Sequence, residues 1–136
     1  MPDSESVTHA AQASDQLRRL AQTTRTIRDP GEIYDLLGDL ARAITSLAQS
    51  LHQIAKVHDN LEPGRARVAE STRSGRATSY AISWEVHRAA EMLTQVAGVV
   101  DHAHQDEAKI AYAQPDPLLR PDRKAFLAAA NDGLRL

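Results

Sequence analysis

The chain has 136 residues, 42% of them hydrophobic but only 4% aromatic, and its 16 basic and 18 acidic side chains give a formal net charge of -2. That length can bury one continuous core, and the near balance of charge supplies no global field that would draw the chain onto nucleic acid or a membrane. The absence of cysteine excludes disulfide scaffolds, thiolate metal sites and cysteine nucleophiles.

Alanine supplies 23 of the residues. It is the best helix former and a poor strand former, so the composition predicts an all-α fold. Ala10, Ala13, Leu17, Leu20, Thr24 and Ile27 recur at alternating steps of three and four, which predicts a first helix over about 5–28 with residues 1–5 frayed. In Asp29-Pro30-Gly31-Glu32, Asp29 can cap free amide groups, Pro30 suits the first helical position and Glu32 sits where a capping box places its acid. A second helix is therefore expected over 31–60.

Its seam is the strongest in the chain: Ile33, Leu37, Leu40, Ile44, Leu47, Leu51, Ile54, His58 and Leu61. A second column, Tyr34, Ala41, Ala48 and Ala55, runs beside it, so the apolar stripe is wide enough for two neighbours. His58 stands where an aliphatic residue is expected and marks where the hairpin should open to water near Pro63-Gly64.

A third helix is predicted over 63–113, opened by Pro63 and carrying Ile82, Val86, Ala89, Leu93, Val96, Val100 and Ala103. The small flanking residues Ala90 and Ala97 would let backbones approach closely. The seam is poor between Gly64 and Ser79, where the helix either projects from the bundle or breaks near Ser74-Gly75; a continuous or kinked helix is the preferred reading. Pro115 and Pro117 end it and open a Pro-rich connector over 114–121. A short fourth helix near 121–131, with residues 132–136 frayed, completes a single antiparallel helical bundle.

The sharpest candidate surface lies opposite the third seam. Tyr80, Trp84 and His87 are spaced four and three apart, and Arg73, Arg76 and Arg88 extend the same stripe. Tryptophan and arginine cover large areas while keeping a polar handle, so this stripe is the expected partner-binding surface, unless the C-terminal tail covers it through Leu118, Leu119 and Phe126. A different class of partner is suggested by Arg65, Arg67, Arg73 and Arg76, which face one acid, Glu70, and could contact nucleic-acid phosphates. Three histidines stand beside acids at helical spacing: His87/Glu91, His102/Asp106 and Asp101/His104. A metal site in a helical bundle needs further inward carboxylates that the sequence does not supply, so no metal and no cofactor are expected. Protonating all six histidines would move the formal charge from -2 to +4, which makes a pH-responsive assembly conceivable.

Nothing points to catalysis: there is no Gly-rich phosphate loop, no His-Glu-x-x-His and no Gly-x-Ser-x-Gly elbow. The N-terminal Met-Pro-Asp-Ser-Glu has neither the basic start nor the apolar stretch of a signal peptide, and no apolar run approaches the roughly 20 residues of a membrane span. A cytoplasmic location is expected. Tyr112-Ala-Gln-Pro-Asp116, at a helix end, resembles the Tyr-x-x-x-Asp/Glu signal of the small helical-hairpin proteins exported by type VII secretion. The resemblance covers five residues and implies an exported helical partner. It departs from that pattern at the turn, because Trp84 is followed by Glu85-Val86 and falls mid-helix rather than in a Trp-x-Gly turn. The expected function is that of a non-enzymatic helical interaction or scaffold module, acting by self-association or by docking a helix of a protein partner.

Overall fold

The computed structural model describes residues 4–69 and 75–114. Those residues are all-α, and among them are three α-helices: α1 (Glu5–Thr23), α2 (Glu32–Asp59) and α3 (Arg76–Glu107). Helix α1 starts where Ser4 accepts a hydrogen bond from the Val7 amide at 3.2 Å, with Glu5 at the positive end of the helix dipole. It runs into a 3-10 turn at Thr24–Thr26. Asp29 then organises the entry to α2. Its carboxylate accepts the Gly31 amide at 2.8 Å and its carbonyl accepts the Glu32 amide at 3.1 Å.

Helices α2 and α3 pack along their length as an antiparallel hairpin. Early α2 meets late α3 in a stack of Tyr34 on His104, and late α2 meets early α3 where His58 reaches Ser79. Helix α1 packs on neither of them, and no residue of α1 is buried.

The centre of the hairpin differs from the most conspicuous seam of the sequence. Among the described residues of the two helices, those buried are Gly38, Ala41, Ala48 and Ala55 on α2 against Ser79, Ser83, Ala90 and Ala97 on α3. The interface is thus centred on the alanine column that runs beside the large aliphatic row. Small side chains at seven-residue spacing let the two backbones approach closely, which Leu and Ile at the same positions would prevent. The aliphatic row is rotated to one flank, where Leu40, Ile44 and Leu51 are half-buried and Leu47 and Ile54 are exposed.

The expected helix over 63–113 requires a correction, since α3 begins only at Arg76. Glu62-Pro63-Gly64-Arg65 forms a hydrogen-bonded turn instead, the Arg65 amide donating to the Glu62 carbonyl at 3.1 Å. Gly64 has φ +80° in it, so proline and glycine occupy the two central positions of a type II turn. Pro63 therefore makes a turn rather than opening a helix. At the far end of the loop the Gly75 amide donates to the Ala66 carbonyl at 3.0 Å, and Gly75 is buried against that strand of backbone. Helix α3 also ends six residues earlier than expected, with the Lys109 and Ile110 amides closing turns on Asp106 and Glu107. The connector beyond Gln114 and the short helix at 121–131 lie outside the described residues.

Candidate functional site

Three surfaces of the hairpin carry the chemistry: a polar flank, an outer aromatic stripe and an apolar face. The polar flank follows from the register of the alanine columns. His52 lies four residues after Ala48 and His87 three before Ala90, so each histidine stands beside its column, and the antiparallel pairing brings them together. Their Nδ1 atoms are 2.8 Å apart. The other nitrogen of His87, Nε2, lies 3.0 Å from Oδ2 of Asp59, and the Ser83 hydroxyl donates to Oδ1 of the same carboxylate.

The hydrogen bonds fix the tautomers. An ionised Asp59 only accepts, so a neutral His87 donates from Nε2, its Nδ1 is then an acceptor, and His52 donates from Nδ1. The result is a directed chain from His52 through His87 to Asp59. One turn further along, His58 donates from Nδ1 to the Ser79 hydroxyl at 2.8 Å, and Ser79 in turn donates to the His58 carbonyl at 3.4 Å. His58 is thus a cross-helix tie, not only the point where the hairpin opens. A cleft of about 300 Å³ does lie there, lined by His58, Asp59, Leu61, Pro63, Ser79 and Tyr80 among others.

The hydrogen bonds from Ser83 and then His87 hold the Asp59 carboxyl below its ordinary range, outweighing a small desolvation effect in the opposite direction. A depressed carboxyl stabilises the fold at pH values above its unfolded pKa, and that contribution is lost as pH falls through the folded value. Wild-type stability is therefore expected to drop relative to Asp59→Asn as pH is lowered from 6 to below about 3.9, the ordinary aspartate value. Thermal unfolding of the two proteins across that range measures it, and a constant difference would remove Asp59 from the pH response.

Where it is described, the outer stripe lies away from the hairpin seam. Tyr80 and Trp84 are 52% and 62% exposed. Arg76 donates to the Tyr80 hydroxyl from Nε and Nη2 at 3.2 and 3.1 Å, and the Arg88 guanidinium lies 5.3 Å from the Trp84 ring centre. Each ring is thus paired with an arginine one turn along, the geometry of a cation–π contact. His87 departs from the stripe and turns to the polar flank. It takes Asp59 and His52 as partners rather than Glu91. Arg73 and the expected cover of Leu118, Leu119 and Phe126 lie outside the described residues.

The arginine cluster weighed for nucleic acid is divided by the fold. Arg65 and Arg67 are exposed in the non-helical loop, whereas Arg76 starts α3 and is engaged with Tyr80. Of the histidine–acid pairs, His102–Asp106 forms at 3.6 Å and His104–Asp101 at 3.9 Å, both local to α3. Among the described residues no group of three or more His, Cys, Asp or Glu side chains is placed to hold a metal ion. Nor is any described helix long and apolar enough to cross a membrane. Tyr112 follows α3 and donates its hydroxyl to Glu107, which raises its pKa; Asp116 lies outside the described residues.

The apolar face is the opposite flank. On a 3.6-residue helix, Ile44 and Leu51 fall on one side of the Ala48 column and Thr45 and His52 on the other. The same holds on α3 for Val86 and Leu93 against His87 and Thr94. Because His52 and His87 meet on one side of the hairpin, the two aliphatic rows share the other. Leu47, Ile54, Ile82 and Val96 are exposed there, and no described residue outside the hairpin covers them. The periodicity announced this row, but not that it would be left over once the alanines had paired. No protein-family model, curated protein or solved structure matches this chain.

Proposed function

We propose that the protein is a non-enzymatic helical interaction module whose apolar hairpin face is the docking surface, acting by self-association or by receiving a helix. The single observation behind this reading is the aliphatic row on both helices, which the hairpin leaves uncovered. A buried alanine methyl contributes only about 0.8 kcal/mol, and the hydrophobic core of the hairpin is five alanines. Ordering a residue costs about 1–2 kcal/mol of backbone entropy. The hairpin therefore gains much of its stability from whatever covers Leu47, Ile54, Ile82 and Val96. Contiguous exposed apolar surface of this kind marks interaction sites in soluble proteins.

Sedimentation velocity on the full chain tests the reading. Ile54→Lys with Val96→Lys places two charges on the face at positions outside the seam, and the assembled species of the wild type is expected to dissociate. Tyr80→Ala with Trp84→Ala removes the outer aromatic stripe and is expected to leave assembly in place. Loss of assembly in the second variant alone would move the docking surface to the stripe and overturn the assignment to the apolar face.

A further inference from the structure

Among the described residues nothing covers the apolar face of the hairpin, and the chain continues beyond Gln114 to Leu136. We infer that residues 115–136 of the same chain occupy this face, so that a docking partner must displace them. The inference rests on the interaction-module reading and supplies its regulation, an autoinhibitory cover over the docking surface.

The chain leaves α3 on that face. On a 3.6-residue helix Glu107 falls in row with Val96 and Val100, on the apolar side of the Ala97 column. Glu107 is half-buried, and the Tyr112 hydroxyl donates to its carboxylate. The Lys109 and Ile110 amides close turns on the last two residues of α3. Tyr112 is thereby held against the end of α3 at the edge of the face, and the remaining chain starts from there.

That remainder has the composition and the reach to cover the face. It brings Leu118, Leu119, Phe126 and Leu127, and Phe126 is the only phenylalanine of the chain. The sequence predicts a Pro-rich connector over 114–121 and a short helix over 121–131, with Phe126, Leu127 and Ala130 toward one side. At about 3.3 Å per extended residue and about 1.5 Å per helical residue, the two stretches span roughly 40 Å. This is enough to follow most of the 32 residues of α3 back along the face. Charge agrees. On the apolar side the described helical repeat sets Glu85 and Glu107 but neither lysine nor arginine, whereas the segment carries Arg120, Arg123 and Lys124 against Asp122.

The rival occupants fit less well. Helix α1 packs on neither helix of the hairpin. Its stripe of Ala10, Ala13, Leu17 and Leu20 has two large side chains, and Arg18 and Arg19 are already paired with Asp15. A second copy is opposed by concentration. A segment tethered at the edge of its own face meets it at an effective concentration on the order of mM, which a free copy would have to exceed.

Paramagnetic relaxation in the full chain tests the cover. A nitroxide is attached at Ala128→Cys, opposite Phe126 and Ala130 on the predicted helix, the chain having no other thiol. In one sample nitroxide and isotope share a chain diluted into unlabelled wild type; in the other they are on different copies. Loss of amide signals centred on Leu47 and Val96 in the first sample alone is the expected result, abolished by Phe126→Asp with Leu127→Asp. Loss in the second sample alone would give the face to another copy. Loss centred on Tyr80 and Trp84 would place the segment over the outer stripe, and no loss would leave the face to α1 or to another protein. Each of these overturns the cover and leaves the interaction module standing.

Sedimentation velocity tests the regulation. A cover that leaves few chains open weakens docking in proportion to the open fraction, so Phe126→Asp with Leu127→Asp is expected to assemble at a concentration about tenfold or more below that of the wild type. Assembly unchanged by this release would make the segment a part of the core and overturn its regulatory role. If both proteins stay monomeric while the nitroxide places the segment on the face, the interaction-module reading falls and the occupancy alone stands.

Discussion

Replacing Ala90 with leucine is expected to cost the hairpin about 1–3 kcal/mol, the usual penalty for forcing extra methylenes into a packed core. Ala90 and Ala55 are completely buried, and the seam is narrow because nothing larger than alanine or serine lies in it. A leucine there must push the two helices apart along their length, since a rigid helix cannot yield at one turn alone. The neighbouring change, Ala89→Leu, places the same side chain on the apolar flank, at a position only partly buried. Its effect is expected within about 0.5 kcal/mol, the range of ordinary surface substitutions. Denaturant unfolding of the two variants, one residue apart and identical in composition, compares them directly. Equal costs would show that the alanine column is not the packed centre.

Gly75→Ala is the second large effect. Its φ of -80° is open to any residue, so the constraint is space and not conformation. A Cβ at that position would lie 2.8 Å from the Ala66 carbonyl carbon, 2.9 Å from the Arg67 nitrogen and 3.0 Å from the Ala66 oxygen. All three are backbone atoms, which cannot rotate away as a side chain can. The hydrogen bond from Gly75 to Ala66 must lengthen or break, and the first turn of α3 loses the anchor on which the Ser79 amide closes at 2.8 Å. A cost of about 1–3 kcal/mol is expected, concentrated at the loop. Hydrogen exchange is expected to quicken at Gly75 and Ser79 while the amides around Ala90 keep their protection. Uniformly faster exchange would instead mean that the loop and the seam unfold as one unit.

The helices themselves were readable because their signals are local. The alternating apolar steps from Ala10 to Ile27, the cap at Asp29 and the long aliphatic row placed α1 and α2 within a few residues. The start of α3 was not. Pro63 is as good an opening for a helix as for a type II turn, and what decides between them is the contact of Gly75 with Ala66, which a periodicity cannot contain. The choice of seam was obscured for a different reason. Hydrophobic patterning weights residues by size and apolarity, so it is led by Leu and Ile, whereas two helices that approach closely select for the smallest side chains. Both columns were visible, and only the pairing showed which one α3 takes.

The candidate surfaces divide along the same line. Tyr80 and Trp84 remain on the outside because rotating the seam by part of a turn still leaves them far from it. His87 is nearer the interface, and the same rotation turns it inward to Asp59. The histidine–aspartate chain could not be read from spacing, since its members are 28 and 35 residues apart and meet only through the register of the hairpin.

That register poses a question of its own. Ala41, Ala48 and Ala55 repeat every seven residues, as do Ser83, Ala90 and Ala97. A one-heptad slide of α3 along α2 would set small residue on small residue again, so the alanine seam by itself scarcely distinguishes neighbouring alignments. The polar ties do distinguish them. Tyr34 on His104 at one end, and His52, His58 and Asp59 on His87, Ser79 and Ser83 at the other, all fall out of reach in the shifted alignment. The seam works as a track and the side chains at its two ends as detents, so information about alignment is carried by groups that add little to cohesion.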